Sequence, residues 1–246
     1  DLHSFPTRRS SDLPTECEKV IDDIHSRGKL PILCGGTGLY INAIIFDMQF
    51  EGVKTEKEAR QKFEEMARKY GNEYLYKELQ RINPGVAERI HPNNTVRVIR
   101  ALSVLESEGC DGRSSNLGDL SLARKRENAF DFIKLVITWP RDVLYSRINK
   151  RVDTFFDEGL VSEVQGLLEG GVPQEANALK AIGYKEIVAY LNREMDLKTA
   201  NELIKRNTRR FAKRQLTWFK RYDDFHWFDM SETTDEEIVS WVAKNM

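Results

Sequence analysis

This chain is short of the residues on which the commoner chemistries depend. Its 246 residues include three cysteines, Cys17, Cys34 and Cys110, unevenly spaced and without a CxxC pair. That pattern excludes a disulfide framework and a zinc signature, and reads as reduced thiols in a cytoplasmic protein. The histidines His25, His91 and His226 show no nucleophile or metal spacing, and no Ser–His–Asp order or paired-carboxylate arrangement stands out. No run approaches the roughly 18 apolar residues of a membrane span, and no signal peptide opens the chain, so no membrane partner is expected. A charge of one sign is also missing: 38 basic and 39 acidic residues leave a net charge of −1. Any attraction to a polyanion must therefore come from where the cations are placed, not from their number. With 40% hydrophobic and 31% charged residues, the composition is that of an ordinary soluble protein. The length suits one large domain or a domain carrying an insertion.

What is present begins with Pro31-Ile-Leu-Cys-Gly-Gly-Thr-Gly-Leu-Tyr40. Pro31 to Cys34 has the length of a buried strand. Gly35, Gly36 and Gly38 break it, and Leu39 to Ile45 resumes with apolar residues crowded as on a buried helix. A strand, a glycine turn and a helix in succession place bare backbone N–H groups and the positive helix end where open α/β sheets bind anions. Thr37 adds a hydroxyl, as a helix N-cap or as a ligand contact. No Gly-Lys-Ser/Thr follows, so this turn is not itself a P-loop.

The remainder can be taken in order. Residues 1–13 lack any period and read as a non-native leader. Thr15 to Arg27 is an amphipathic helix ended by Gly28. Glu51 to Ile82 is dense in charge and fits two helices broken at Gly71-Asn72. A short helix covers Val86 to Ile90. His91-Pro-Asn-Asn94 is a turn, with His91 a turn residue, and it caps a helix from Thr95 to about Ser107. On that helix Val96, Ile99, Leu102 and Leu105 face inward, and Arg97 and Arg100 project together. Asp131 to Thr138 has strand character, and residues 50–128 are taken as a helical insertion between two strands of one α/β core formed by residues 14–49 and 129–246. A long helix from Asp142 turns Leu144, Ile148, Val152 and Phe155 inward, with Arg147 and Arg151 on one flank. Later helices begin near Ala181 and Leu197, and Phe225 to Phe228 is a short apolar piece before a last amphipathic helix.

The second informative stretch, Lys205 to Arg221, has eight Lys/Arg, and no acid lies between Glu202 and Asp223. At 100° per residue all eight cations fall in one half-turn, and Ile204, Thr208, Phe211, Ala212, Gln215, Trp218 and Phe219 fall in the other, which is expected to pack on the core. Like charges at i and i+4 repel, so a polyanion is the natural partner, although acids elsewhere in the fold could balance them. Arg147, Lys150 and Arg151 pose the same choice on a smaller scale. They can clamp a diphosphate or pair with Asp142, Asp153 or Glu158.

These stretches together resemble the tRNA dimethylallyltransferase family. The matching motifs are Gly35-Gly-Thr-Gly-Leu-Tyr40, Ile90-His-Pro-Asn93 with Arg97 and Arg100, and Arg147-Ile-Asn-Lys-Arg151. Ile182-Gly-Tyr-Lys-Glu186 follows, then Arg206-Asn-Thr-Arg209 with Ala212-Lys-Arg-Gln-Leu-Thr-Trp218. The resemblance implies a P-loop-type parallel α/β core with a helical insertion that embraces a tRNA anticodon stem-loop. It implies transfer of a dimethylallyl group from dimethylallyl diphosphate to N6 of the adenine beside the anticodon, with that base flipped out. Mg²⁺ is the implied cofactor, and a monomer is the expected state. By position, Arg151, flanked by Arg147, would contact the diphosphate. Thr37, Arg60, Val96, Arg97, Val98, Ile99 and Arg100 would contact tRNA, as would Lys213, Arg214, Gln215, Leu216, Thr217 and Trp218.

The chain departs from the family pattern at its start, where a Gly-rich phosphate loop and an Asp-Ser segment carrying the general base are expected. It therefore reads as an N-terminally truncated member with no catalytic base among its own residues, and is expected to lack activity as written. Asn94 also stands where the family has Asp. The alternatives are a small-molecule P-loop kinase, which needs no basic helix, and a non-catalytic RNA-binding protein, which needs no arginine clamp.

Overall fold

A computed structural model describes residues 13–46, 57–107 and 130–246. The chain divides into two compact units, Asp1–Asp131 and Phe132–Met246.

The first unit is helical among its described residues. Helix α1 (Leu13–Ser26) ends where Gly28 takes a left-handed φ of 64°, and it packs on α2 (Gly38–Ile45). Between them, Pro31 to Cys34 does not form the expected strand. A strand is held by a ladder of partners, and the only sheet among the described residues lies in the other unit. Leu30, Ile32 and Leu33 are accordingly exposed, Ile32 at 83%. Helices α3 (Lys57–Tyr70) and α4 (Asn72–Ile82) part at Gly71, whose φ of 83° suits glycine alone. Asn83 caps the short α5 (Pro84–Ala87), its side chain accepting from the Val86 N–H at 3.0 Å. Helix α6 (Thr95–Ser107) packs on α3 and α4.

The core of this unit is Phe63, Leu75, Leu79, Ile90, Val98, Leu102 and their neighbours. Leu75 and Leu79 are completely buried. On α6, Ile99, Leu102 and Leu105 are buried as expected, whereas Val96, in the first turn, is 72% exposed. Val98 is buried as well, because α6 packs on two helices and its buried arc is broader than one stripe.

The second unit contains two parallel strands, β1 (Leu135–Thr138) and β2 (His226–Asp229), in register Leu135↔His226 through Thr138↔Asp229. Parallel strands need a long crossover, and the helices between them supply it. These are α7 (Arg141–Asp157), α8 (Leu160–Glu169), α9 (Tyr184–Leu191) and α10 (Leu197–Phe219), with a 3-10 turn at Asn177–Lys180. The α/β class expected from the sequence is thus realised as a small parallel sheet with many helices. Val152, Leu160, Val164, Ile187, Ala200 and Ile204 form the helical core. Phe155, expected inward, is 38% exposed. The closing helix α11 (Asp235–Asn245) starts with a reciprocal cap between Thr234 and Glu237, and its Trp241 stacks on His226 with ring centroids 4.3 Å apart. No helix among the described residues is long and apolar enough to cross a membrane.

Candidate functional site

Helix α10 is the longest element, and its packing decides which of its cations are available. Toward α7 it is held by polar contacts. Lys205 Nζ lies 2.7 Å from the Asp153 carboxylate, Asn201 Nδ2 donates to the same oxygen at 3.1 Å, and Arg209 Nη1 donates to Asn149 Oδ1 at 2.5 Å. The Lys205 bond, with the Asn201 bond second, holds the Asp153 carboxyl below its ordinary range. Lys205 is therefore one of the eight cations that an acid elsewhere in the fold balances. Toward α9 the link is Glu186, a carboxylate only 4% exposed. It accepts from Asn207 Nδ2 at 2.7 Å and from the Gly183 N–H at 2.8 Å, and Lys185 Nζ stands 3.6 Å away. Buried carboxylates need such partners, and the motifs Ile182 to Glu186 and Arg206 to Arg209 here supply each other's. Sequence reasoning missed this bond. Its only signal was a Glu three residues after a glycine at a helix start.

The other side of α10 is open. Arg206, Arg210, Lys213 and Arg214 are exposed, and the ion pairs of this helix among the described residues all belong to Lys205. The helix ends at Phe219, so Lys220 and Arg221 leave it; they lie over Trp227 and Trp218 at 5.9 and 5.2 Å. On the opposite half, Ile204 and Phe219 are buried as expected, but Phe211 is 41% exposed. Of the predicted residues 213–218, Lys213, Arg214 and Thr217 are exposed, while Gln215, Leu216 and Trp218 are half-buried. The Trp218 Nε1–H is buried without an acceptor.

Arg147 and Arg151 sit one turn apart on the exposed flank of α7, away from Asn149 and Asp153. Neither forms an ion pair among the described residues. Asp153 goes to Lys205 instead, which removes one of the acids that could have neutralised the pair. Each guanidinium lies on an aromatic ring, Arg147 over Trp139 at 4.6 Å and Arg151 over Phe155 at 5.3 Å. A guanidinium held over a ring keeps N–H groups available for phosphate oxygens.

In the first unit, Thr37 is the exposed N-cap residue of α2, with no side-chain cap bond, and the Tyr40 N–H donates to its carbonyl at 2.9 Å. Arg60 pairs with Glu64 at 2.9 Å. Arg97 and Arg100 are exposed beside Val96, whereas Val98 and Ile99 are core residues whose side chains face away from solvent. His91 is a turn residue, its Nδ1 accepting from the Asn93 N–H at 3.2 Å. Asn94 accepts from the Arg97 N–H at 3.3 Å, a cap that Asn performs as well as Asp. The departure at Asn94 therefore has a structural account. No group of three or more His, Cys, Asp or Glu side chains that could hold a metal occurs among the described residues.

A family model described as IPP transferase matches residues 11–222. The chain belongs to this family. It is 43% identical over 236 residues to the tRNA dimethylallyltransferase of Alkaliphilus metalliredigens, covering 96% of this chain and 74% of the relative. It is 42% identical over 226 residues to that of Bacillus anthracis, covering 92% and 69%. Among solved structures it resembles the full-length tRNA isopentenylpyrophosphate transferase of Bacillus halodurans, with TM-score 0.64 and 37% identity over 96% of this chain and 73% of that one. A eukaryotic dimethylallyltransferase acting on tRNA gives TM-score 0.71 at 24% identity, covering 97% and 62%, a likeness of fold. Neither the kinase and RNA-binding alternatives nor the expected inactivity finds support among these IPP transferase relatives.

Proposed function

We propose that this IPP transferase moves a dimethylallyl group from dimethylallyl diphosphate to N6 of the adenine beside a tRNA anticodon. The observation that carries the reading is one of placement. Four exposed, acid-free cations on α10 share a unit with the stacked Arg147/Arg151 pair on α7, the helix against which α10 packs. One array suits a phosphate backbone, the other a compact diphosphate.

In the reaction the bond between the allylic carbon and the diphosphate oxygen breaks, and its electron pair leaves with diphosphate. N6 attacks that carbon and then loses a proton. The barrier lies chiefly in the charge accumulating on the leaving group, so donors held in place before ionisation contribute most. Arg151, with Arg147 beside it, is assigned to that charge, and the rings beneath keep both planes oriented. The proton acceptor is assigned to no residue of this chain. Mg²⁺ is the cofactor we expect with the diphosphate; no three His, Cys, Asp or Glu side chains cluster to hold it among the described residues, and no step is routed through it.

On the RNA side, Lys213, Arg214 and Thr217 would meet the anticodon stem-loop directly, with Gln215, Leu216 and Trp218 supporting them. Thr37, Arg60, Val96, Arg97 and Arg100 are proposed for the same RNA, and Val98 and Ile99 for holding α6 in place beneath them. We further propose a P-loop-type core formed by residues 14–49 and 129–246, residues 50–128 as the tRNA-embracing insertion, and a cytoplasmic monomer. Incubation with isotope-labelled dimethylallyl diphosphate and tRNA, followed by nucleoside analysis, tests the assignment. Label on N6-modified adenosine is expected; label on no nucleoside, or on a free adenylate, would refute it.

A further inference from the structure

Phe211 is placed by the helical period on the half of α10 that should be buried, and the fold leaves 41% of it exposed. The reason is local. The first half of α10 is covered by α7 and α9, where Ala200 and Ile204 are buried and Asn207 reaches Glu186. The far end is covered where Phe219 meets Phe225, with ring centroids 5.7 Å apart. Phe211 lies between these two covered stretches. The cation beside it on the helix surface is Arg214, one turn on, exposed and without an acid among the described residues, at the edge of the cationic arc that Arg210 and Lys213 continue. The Arg214 guanidinium lies 5.7 Å from the centre of the Phe211 ring.

A lone exposed apolar side chain needs no explanation. An exposed aromatic ring beside an uncompensated arginine, at the edge of a cationic arc, has a more particular composition. Proteins that hold single-stranded RNA combine cations along the backbone with rings on which unpaired bases stack. Duplex RNA, whose bases are already stacked and paired, has no use for such a ring.

We propose that Phe211 is a binding residue of this protein, a stacking platform for an unpaired base of the RNA whose phosphates the α10 cations hold. The proposal rests on the tRNA reading above and adds a residue to it. Arg214 lies over one face of the ring, and the base would stack on the other.

The test uses the whole chain, an anticodon stem-loop RNA, and a fully base-paired hairpin of equal length. Phe211→Leu keeps the apolar volume and loses the ring, Phe211→Ala loses both, and Phe211→Trp keeps a ring. The Leu and Ala variants should bind the stem-loop roughly fivefold or more weakly, with Trp within about twofold of wild type. The salt dependence should be unchanged, because no cation is removed, and the paired hairpin should bind all variants alike. A Leu variant that binds the stem-loop as well as wild type would overturn the proposal, showing the ring to be apolar packing. So would an equal loss on the paired hairpin. If wild type itself fails to bind the stem-loop, the tRNA reading falls first and this inference falls with it.

Discussion

Gly183 holds φ 101° and ψ −62°, a conformation that side-chain-bearing residues rarely adopt, and nothing lies within 4 Å of where a Cβ would stand. The constraint is thus one of backbone, not space. Gly183→Ala should cost about 1–3 kcal/mol, measurable by urea unfolding, and a wild-type stability would show that the turn relaxes freely. The same turn places the Gly183 N–H on Glu186, so the variant also strains the link to Asn207. Arg151 is a residue of the opposite kind, exposed and unneeded for packing. Losing one charged donor to a phosphate typically costs about 1.5–3 kcal/mol. Arg151→Ala should therefore lower kcat/KM for dimethylallyl diphosphate about tenfold to a hundredfold, with tRNA affinity within about twofold of wild type. Collapse of tRNA binding with normal diphosphate kinetics would move Arg151 to the RNA side.

At the scale of the element, α10 is a helix with a different partner for each arc. Its polar seam with α7 is sensitive to acid. The Asp153 carboxyl sits below its ordinary value because Lys205 and Asn201 bond its charged form. A depressed folded-state value means that the contribution is complete above the unfolded carboxylate value, near pH 4, and is lost as pH falls through the folded value. Thermal melts of wild type and Asp153→Asn should therefore differ at neutral pH and converge in acid. A constant gap would assign the difference to something other than ionisation. The outer arc should behave differently. Lys213 and Arg214 are exposed, so replacing both with Gln should leave the fold intact. Each cation withdrawn from a phosphate shallows the dependence of log K on log salt by roughly 0.7–0.9, so the slope for an anticodon stem-loop should fall by about 1.4–1.8 in the double variant. An unchanged slope would mean that these cations do not meet phosphate.

For the whole molecule, the described residues form a helical core in each unit, and Leu79 is completely buried in the first. Leu79→Ala should cost about 2–5 kcal/mol by urea unfolding, and a loss below about 1 kcal/mol would mean that the surrounding helices collapse onto the space. The sequence alone determined the helices with strong periods, the breaks at Gly28 and Gly71, the cationic arc of α10, and the family through its motifs in order. These are local properties, written in which residue types recur every three or four positions and in glycines that only one backbone conformation requires. Tertiary structure decided what periodicity leaves open. It buried Val98 beside the expected Ile99, Leu102 and Leu105, because α6 is packed by two helices at once, and left Val96 exposed in the first turn. It left Pro31 to Cys34 without a ladder, since a strand exists only through its partner. It neutralised Lys205 with an acid on another helix, Asp153 of α7, as no count of local charges could. And it left Phe211 uncovered midway along α10, because a period marks the face a helix can bury, whereas neighbouring elements determine how much of that face they cover.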